Sequence, residues 1–145
     1  MRTRRFLLAL VVLSFSLSLV AQEETRPESN LDLRGAQELL RLREHKAALS
    51  IGLERTASGD YFLSSASKGA DQRLKISRQE AQRLDEDFSA LFLKLQYEMP
   101  ADPAGCAVGW SLILRGEEFR VCEKSEQKSQ AIEPLRSSLK RHFSP

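Results

Sequence analysis

The sequence predicts a small α+β domain in which two β-hairpins form an antiparallel sheet of about four strands. Two helices are expected to pack on one face of that sheet, in the order ββαββα. Two observations support this fold class. Residues 48–66 and 107–123 each alternate apolar and polar side chains on either side of turn-forming residues. A helical apolar stripe follows each pair of strands, at 77–95 and at 130–143.

The first 21 residues have the layout of a secretory signal peptide. Arginines at positions 2, 4 and 5 precede an uncharged run from Phe6 to Val20, and Ala21 offers a small residue for cleavage. A membrane-spanning helix needs about 20 apolar residues, and this run is shorter and contains three serines. We therefore expect a signal peptide at 1–21, a secreted or periplasmic protein, and no membrane anchor after cleavage.

The positive charge of the chain belongs to this signal. The full sequence has 22 Lys and Arg against 20 Asp and Glu, a formal net charge of +2. Residues 1–21 hold three arginines and no acidic residue, so the remainder carries −1. A near-neutral domain has no overall field that attracts nucleic acid or an anionic membrane. We expect neither as a partner.

The region after the signal divides into a leader and one domain. Residues 22–32 are polar and without periodicity, which predicts a disordered leader. Residues 33–145 are then a single small α+β domain. Its first segment, Leu33–Lys46, allows two interpretations. It is either a helix with Asp32 as its N-cap and Ala36, Leu39 and Leu40 on one face, or a segment that runs into the following strand.

Residues 48–66 predict the first hairpin. Leu49, Ile51 and Leu53 alternate with polar residues, and Ser58-Gly59-Asp60 marks a turn before a second strand that opens at Tyr61. Lys68–Asp71 is expected to break that strand, and Arg73–Ile76 to continue it after a bulge.

The clearest predicted element is the helix that follows. Ser77 and Glu80 have the spacing of a capping box. An apolar stripe comes next, which predicts an amphipathic helix with one face in the core: Ala81, Leu84, Phe88, Leu91, Phe92 and Leu95. The alternative for such a stripe is a docking helix for a partner.

The second hairpin is predicted to join Ala107–Leu114 to Phe119–Glu123 through a turn at Arg115–Glu118. If Leu114 lies opposite Phe119, then Leu112 lies opposite Val121. The last helix is predicted from about Gln130 to Phe143, with Pro134 in its first turn. Its inner face would hold Ile132, Leu135, Leu139 and Phe143.

The two cysteines, Cys106 and Cys122, predict a disulfide in an exported chain. The predicted register places Cys122 opposite Ser111, on the outer face of the hairpin. A straight strand would leave Cys106 out of reach and on the wrong face. We therefore expect a bulge at Gly109 that folds the preceding proline-containing loop back to Cys122.

No sequence pattern predicts catalytic, cofactor-binding or metal-ligating residues. His45 and His142 lie in charged stretches and are expected at the surface. Asp85-Glu86-Asp87 lacks the alternating ligands and the glycine of a calcium loop. Hydrolysis by a carboxylate pair stays open, although nothing marks two particular carboxylates for it. No cofactor is expected.

The segment from Tyr97 to Gly105 is the candidate binding loop. Pro100 and Pro103 restrict its backbone, and Tyr97 and Met99 supply apolar side chains of the kind that dominate many binding sites. A rigid exposed loop loses little entropy when it binds. The alternative is an ordinary connection between helix and strand.

The organisation of residues 48–143 resembles that of the emfourin-type proteinaceous inhibitors of bacterial metalloproteases, which run hairpin, helix, hairpin, helix. Ala131–Arg136 is similar to the Ala-Leu-x-Pro-Leu segment that opens their final helix. The resemblance is one of order and spacing, and it assigns no functional residue.

The sequence as a whole predicts an exported binding module of unknown ligand. An inhibitor of a secreted hydrolase is one such module, and its partner would be another exported protein. The alternatives are a periplasmic enzyme without a recognisable motif and a structural envelope protein. The oligomeric state cannot be inferred from the sequence.

Overall fold

The computed structural model describes residues 35–144. The predicted signal peptide, the predicted leader and the predicted cap at Asp32 lie outside these residues. The chain forms, in order, β1 (Gln37–Glu44), β2 (Leu49–Arg55), β3 (Tyr61–Ser67), β4 (Ala70–Ile76), α1 (Arg78–Leu93), a π-helical turn (Lys94–Glu98), β5 (Val108–Leu114), β6 (Glu117–Cys122) and α2 (Glu126–Arg141).

The six strands form one antiparallel sheet in the order β4-β3-β2-β1-β5-β6. The fold is α+β, but the expectation of about four strands in the order ββαββα is wrong. The first four strands follow one another as a meander. The β5–β6 hairpin then pairs with β1 rather than with the last strand of that meander. Strand β1, the first in the described chain, therefore lies inside the sheet.

Gln37–Glu44, within the segment predicted as a possible helix, is strand β1. Leu40 and Leu42 point into the core and are almost fully buried, while Arg41 and Arg43, which alternate with them along the strand, point to the other face. The helix predicted for this segment did not include Leu42 in its apolar face. Pairing with both β2 and β5 buries this leucine, so tertiary contacts decide the structure of the segment.

Strand β4 is the other strand that the sequence analysis missed. Ser67 pairs with Ala70, so Lys68 and Gly69 form a two-residue turn, in which Gly69 has φ +85°. The predicted bulge is therefore a complete hairpin turn, and the chain reverses there instead of continuing. Arg73–Ile76 runs antiparallel to β3 at the edge of the sheet.

The predicted register of the second hairpin is wrong by two residues. Leu112 pairs with Phe119, and the turn is the pair Arg115-Gly116, with φ of +49° and +88°. Positive φ at both positions is the two-residue turn that suits the twist of a hairpin. A shift of two residues keeps every side chain on its predicted face, so Leu112 and Val121 are still buried together.

The expected bulge at Gly109 is present. Val108 pairs with Cys122 and Trp110 with Val121, which leaves Gly109 without a partner in the register. A Cβ atom at Gly109 would lie 2.7 Å from the Cα of Glu123, so only glycine lets the two backbones approach this closely.

The two helices cover one face of the sheet. The Ser77 hydroxyl accepts a hydrogen bond from the Glu80 N–H at 3.2 Å and caps α1 as predicted. The returning half of the capping box is not formed, since the Glu80 carboxylate lies 3.3 Å from the Nδ1 of His142. Helix α2 begins at Glu126, four residues before the predicted start, so Pro134 lies inside the helix rather than in its first turn. The core between sheet and helices includes Leu40, Leu42, Ile51, Leu53, Leu63, Leu84, Phe88, Phe92, Leu112, Val121, Ile132 and Leu139.

The opposite face of the sheet is mostly polar, and Phe62 is buried on it under the Arg73 guanidinium, which lies 4.1 Å from the centre of its ring. Arg41 lies across Gly52, where a Cβ atom would meet its guanidinium at 3.0 Å. The Arg41 Nε donates to Glu38 at 2.7 Å, and the carboxylate of Glu54 lies 3.5 Å from both Arg41 and Arg73. Within the described region, we find no helix long and apolar enough to cross a membrane.

Candidate functional site

The loop that joins the π-helical turn to β5, here named the proline loop (residues 99–107), is attached to β6 by the Cys106–Cys122 disulfide. The two Cα atoms are 5.7 Å apart. The disulfide predicted from the sequence is therefore confirmed. The Gly109 bulge turns the start of β5 so that Cys106 reaches Cys122, as the geometric argument required.

Asp102 forms a second attachment in the middle of the proline loop. One carboxylate oxygen accepts from the backbone N–H of Cys122 at 2.9 Å, and the other lies 3.0 Å from the Nζ of Lys128 in the first turn of α2. The Lys128 side chain is only 3% exposed, and its Nζ lies 5.4 Å from the centre of the Phe119 ring. The loop is thereby connected to a strand and to a helix through one carboxylate.

This ion pair was not predicted from the sequence. Lys128 lies four residues before Ile132 and seven before Leu135, on the buried stripe of α2. A lysine on the inner stripe of an amphipathic helix signals a buried partner. That signal was lost because the helix was predicted to begin at Gln130.

The environment of Asp102 favours its ionised form. Burial raises the pKa of this carboxyl, but the N–H of Cys122, the ammonium of Lys128 and the hydroxyl of Ser125 together outweigh burial and lower the pKa below its usual value of 3.8. Asp102 is therefore a carboxylate at neutral pH.

A pH dependence follows from the lowered pKa. Ionised Asp102 stabilises the fold fully above the pKa of an aspartate in the unfolded chain, and this contribution is lost as the pH falls through the lower folded pKa. We expect Asp102→Asn to flatten the loss of stability on acidification, as measured by urea unfolding from neutral pH to the acid range. Asp71→Asn, at an exposed position on β4, is the control. An equally steep loss in Asp102→Asn and the wild type would contradict the assignment.

The four residues predicted from the sequence to form a binding loop divide between a cleft and the exposed surface outside it. Met99 and Pro103 line a cleft, whereas Tyr97 and Pro100 are exposed and do not line it. Tyr97 is 74% exposed and Leu93, four residues before it, is 52% exposed. Among the described residues, these two are the exposed large apolar side chains. Leu93 was not singled out from the sequence, because it lies off the buried stripe of α1.

The cleft has a volume of about 600 Å³ and lies between the π-helical turn, the proline loop and β6. Its apolar wall includes Leu95, Met99 and Phe119, and the ion pair of Asp102 with Lys128 borders it. A second cavity of about 430 Å³ lies beside the disulfide, near Lys124 and Ser125. The proline loop thus has concave surface next to the disulfide that holds it in place.

His45 and Ser111 form a polar pair on the opposite face of the sheet. The Nε2 of His45, in the β1–β2 turn, lies 2.9 Å from the Ser111 hydroxyl. Ser111 has no exposed surface, so a substrate cannot reach its oxygen. The pKa of the neighbouring Glu118 carboxyl is lowered, first by Arg120 and then by the Ser111 hydroxyl. The pair joins the turn to β5 and does not have the access that a nucleophile requires.

Comparison of the chain with protein-family models, curated proteins and solved structures finds no match. Among residues 35–144, no group of three or more His, Cys, Asp or Glu side chains is placed to hold a metal ion.

Proposed function

We propose that this protein is an exported binding module that inhibits a secreted hydrolase. Its binding surface is the exposed part of the proline loop together with Leu93 and Tyr97. The observation that carries the proposal is the way this loop is held. Its middle is attached through Asp102 and its end through Cys106, while Pro100 and Pro103 are exposed.

The physical reason is the entropy of binding. A loop whose conformation is already restricted by two prolines, a disulfide and a buried ion pair loses little freedom when a partner engages it. Aromatic side chains supply much of the energy at such surfaces, and Tyr97 is the exposed aromatic residue next to the loop. We name a secreted protease as the partner because Ala131–Arg136 is similar to a segment of inhibitors of bacterial metalloproteases. The element order gives no support to this choice, since four strands and not two precede α1. The signal-like N-terminus would bring the two proteins into the same compartment.

The experiment measures whether this protein inhibits purified secreted bacterial metalloproteases. Secreted serine proteases are assayed as a second class of enzyme. We expect tight binding to a protease and loss of its activity. We also expect Leu93→Ala and Tyr97→Ala to weaken binding by about tenfold or more each. Arg83→Ala, exposed on the same helix away from the loop, is the matched control. If both variants bind like the wild type, the proposed binding surface is wrong at Leu93 and Tyr97. If no protease of either class is inhibited, the proposed activity is wrong.

Export is tested by a separate measurement. Fractionation of expressing bacteria should place the protein in the periplasm or the medium, with an intact mass that lacks residues 1–21. A full-length product retained in the cytoplasm or the membrane would contradict export, whatever the inhibition assay shows.

A further inference from the structure

Strand β6 is at the edge of the sheet, and part of its backbone is directed outward. The N–H of Glu123, just after the strand, donates inward to Ala107 at 2.8 Å. Hydrogen-bonding direction alternates along an antiparallel strand, so the groups of Glu118, Arg120 and Cys122 point away from β5. The outward N–H of Cys122 is taken by Asp102 at 2.9 Å. Within residues 35–144, the backbone groups of Glu118 and Arg120 have no such partner.

Along β6, charged side chains on the face opposite the helices alternate with an apolar side chain on the helix face. Glu118 pairs with Ile113 and Arg120 with Ser111 in the register, so both side chains lie on the face opposite the helices. Their exposures are 33% and 66%, and the Arg120 Nη2 lies 2.9 Å from the Glu118 carboxylate. Phe119 between them lies on the helix face and lines the 600 Å³ cleft.

We propose that a second copy of this chain pairs with β6 in antiparallel orientation, about a two-fold axis at Phe119. In this register Glu118 of each copy lies opposite Arg120 of the other. These are the residues whose backbone groups point outward, so each opposed pair exchanges two hydrogen bonds. The interface is the same patch on both copies, as two-fold symmetry requires. This inference does not rest on the proposed inhibitory function.

Charge selects this register over its neighbours. Moving the axis to Glu118 would place two glutamates opposite each other, and moving it to Arg120 would oppose two arginines. Like charges directly opposite in a sheet are destabilising, whereas opposite charges stabilise. With the axis at Phe119 both opposed pairs carry opposite charges.

The proline loop limits how much of β6 can pair with a second copy, and the cleft beside Phe119 leaves room for that copy. The proline loop covers the strand at Cys122, so pairing extends from Glu117 to Val121. On the helix face, the Phe119 ring of the second copy would lie beside the first Phe119, at the cleft between Met99 and the strand. The half-buried Phe119 would thereby lose further exposed surface, which favours association.

The experiment is sedimentation velocity of the purified chain over a range of concentrations, with the variants Glu118→Arg and Arg120→Glu. The wild type should dimerise. Each single variant places like charges at both opposed pairs and should weaken the dimer by about tenfold or more. Both positions are exposed, so circular dichroism should show an unchanged fold.

The decisive sample is a mixture of the two variants. One carries two positive side chains at these positions and the other two negative ones, so their heterodimer restores opposite charges at both pairs. We expect the mixture to dimerise where neither variant does so alone. A wild type that stays monomeric into the millimolar range overturns the proposal. So do single variants that dimerise like the wild type, or a mixture that stays monomeric.

Discussion

Asp102→Ala should lower the free energy of unfolding by about 3–5 kcal/mol, the usual cost of breaking a buried ion pair on one side. The substitution leaves the Lys128 ammonium, which is 3% exposed, without its carboxylate partner. It also removes the acceptor of the Cys122 N–H. Urea unfolding at neutral pH measures the loss. This effect should be among the largest that a single substitution outside the apolar core produces.

A double-mutant cycle separates the pair from the loop as a whole. Lys128→Met keeps most of the apolar stem that packs near Phe119 and removes the charge. The double variant Asp102→Ala/Lys128→Met should be clearly more stable than the sum of the two single losses implies, because no unpaired charge remains buried. Asp102→Asn, which retains an acceptor for the Cys122 N–H, should fall between the wild type and Asp102→Ala. Strictly additive losses would contradict a direct ion pair.

Removing the disulfide should have the next largest effect. The double variant Cys106→Ser/Cys122→Ser should lose about 3 kcal/mol of unfolding free energy in the chain-entropy model for a loop of this length. Guanidinium unfolding of the oxidised wild type and of the variant measures the difference, and the reduced wild type is the control. The variant and the reduced wild type should unfold at similar denaturant concentrations. Equal stability of the oxidised wild type and the variant would contradict this prediction.

The amphipathic helix and the disulfide could be predicted because each depends on residues close together in sequence. The Ser77 cap and the apolar stripe after it lie within one helix, and α1 begins where the cap predicts. The Gly109 bulge followed from a short-range argument, since Cys106 and Cys122 had to meet across one hairpin.

The strand count could not be predicted in the same way. Leu33–Lys46 has the charge density of a surface helix, but Gln37–Glu44 within it is a strand because β2 and the distant β5 both pair with it. Lys68-Gly69 and Arg115-Gly116 are both two-residue turns, but the first was interpreted as a bulge and the second as part of a longer turn. In each case a residue other than asparagine or aspartate precedes the glycine, so the strongest hairpin signal is missing.

The candidate site was predicted in part. The loop and its proline restraints were visible in the sequence, as were Tyr97 and Met99. The ion pair of Asp102 with Lys128 was not, because it joins a loop to a helix whose first turn had been assigned elsewhere. Leu93 was not singled out because an exposed leucine differs from a buried one only by its place on the helix.

The interior position of β1 has a consequence for the order in which the fold assembles. During synthesis from the N-terminus, β1–β4 emerge long before β5, and until β5 arrives one side of β1 is an open edge. Pairing between β1 and β5 closes a long loop, which is slow compared with forming the local hairpins. The early meander is therefore the species most exposed to intermolecular strand pairing, and folding ends when the β5–β6 hairpin covers it.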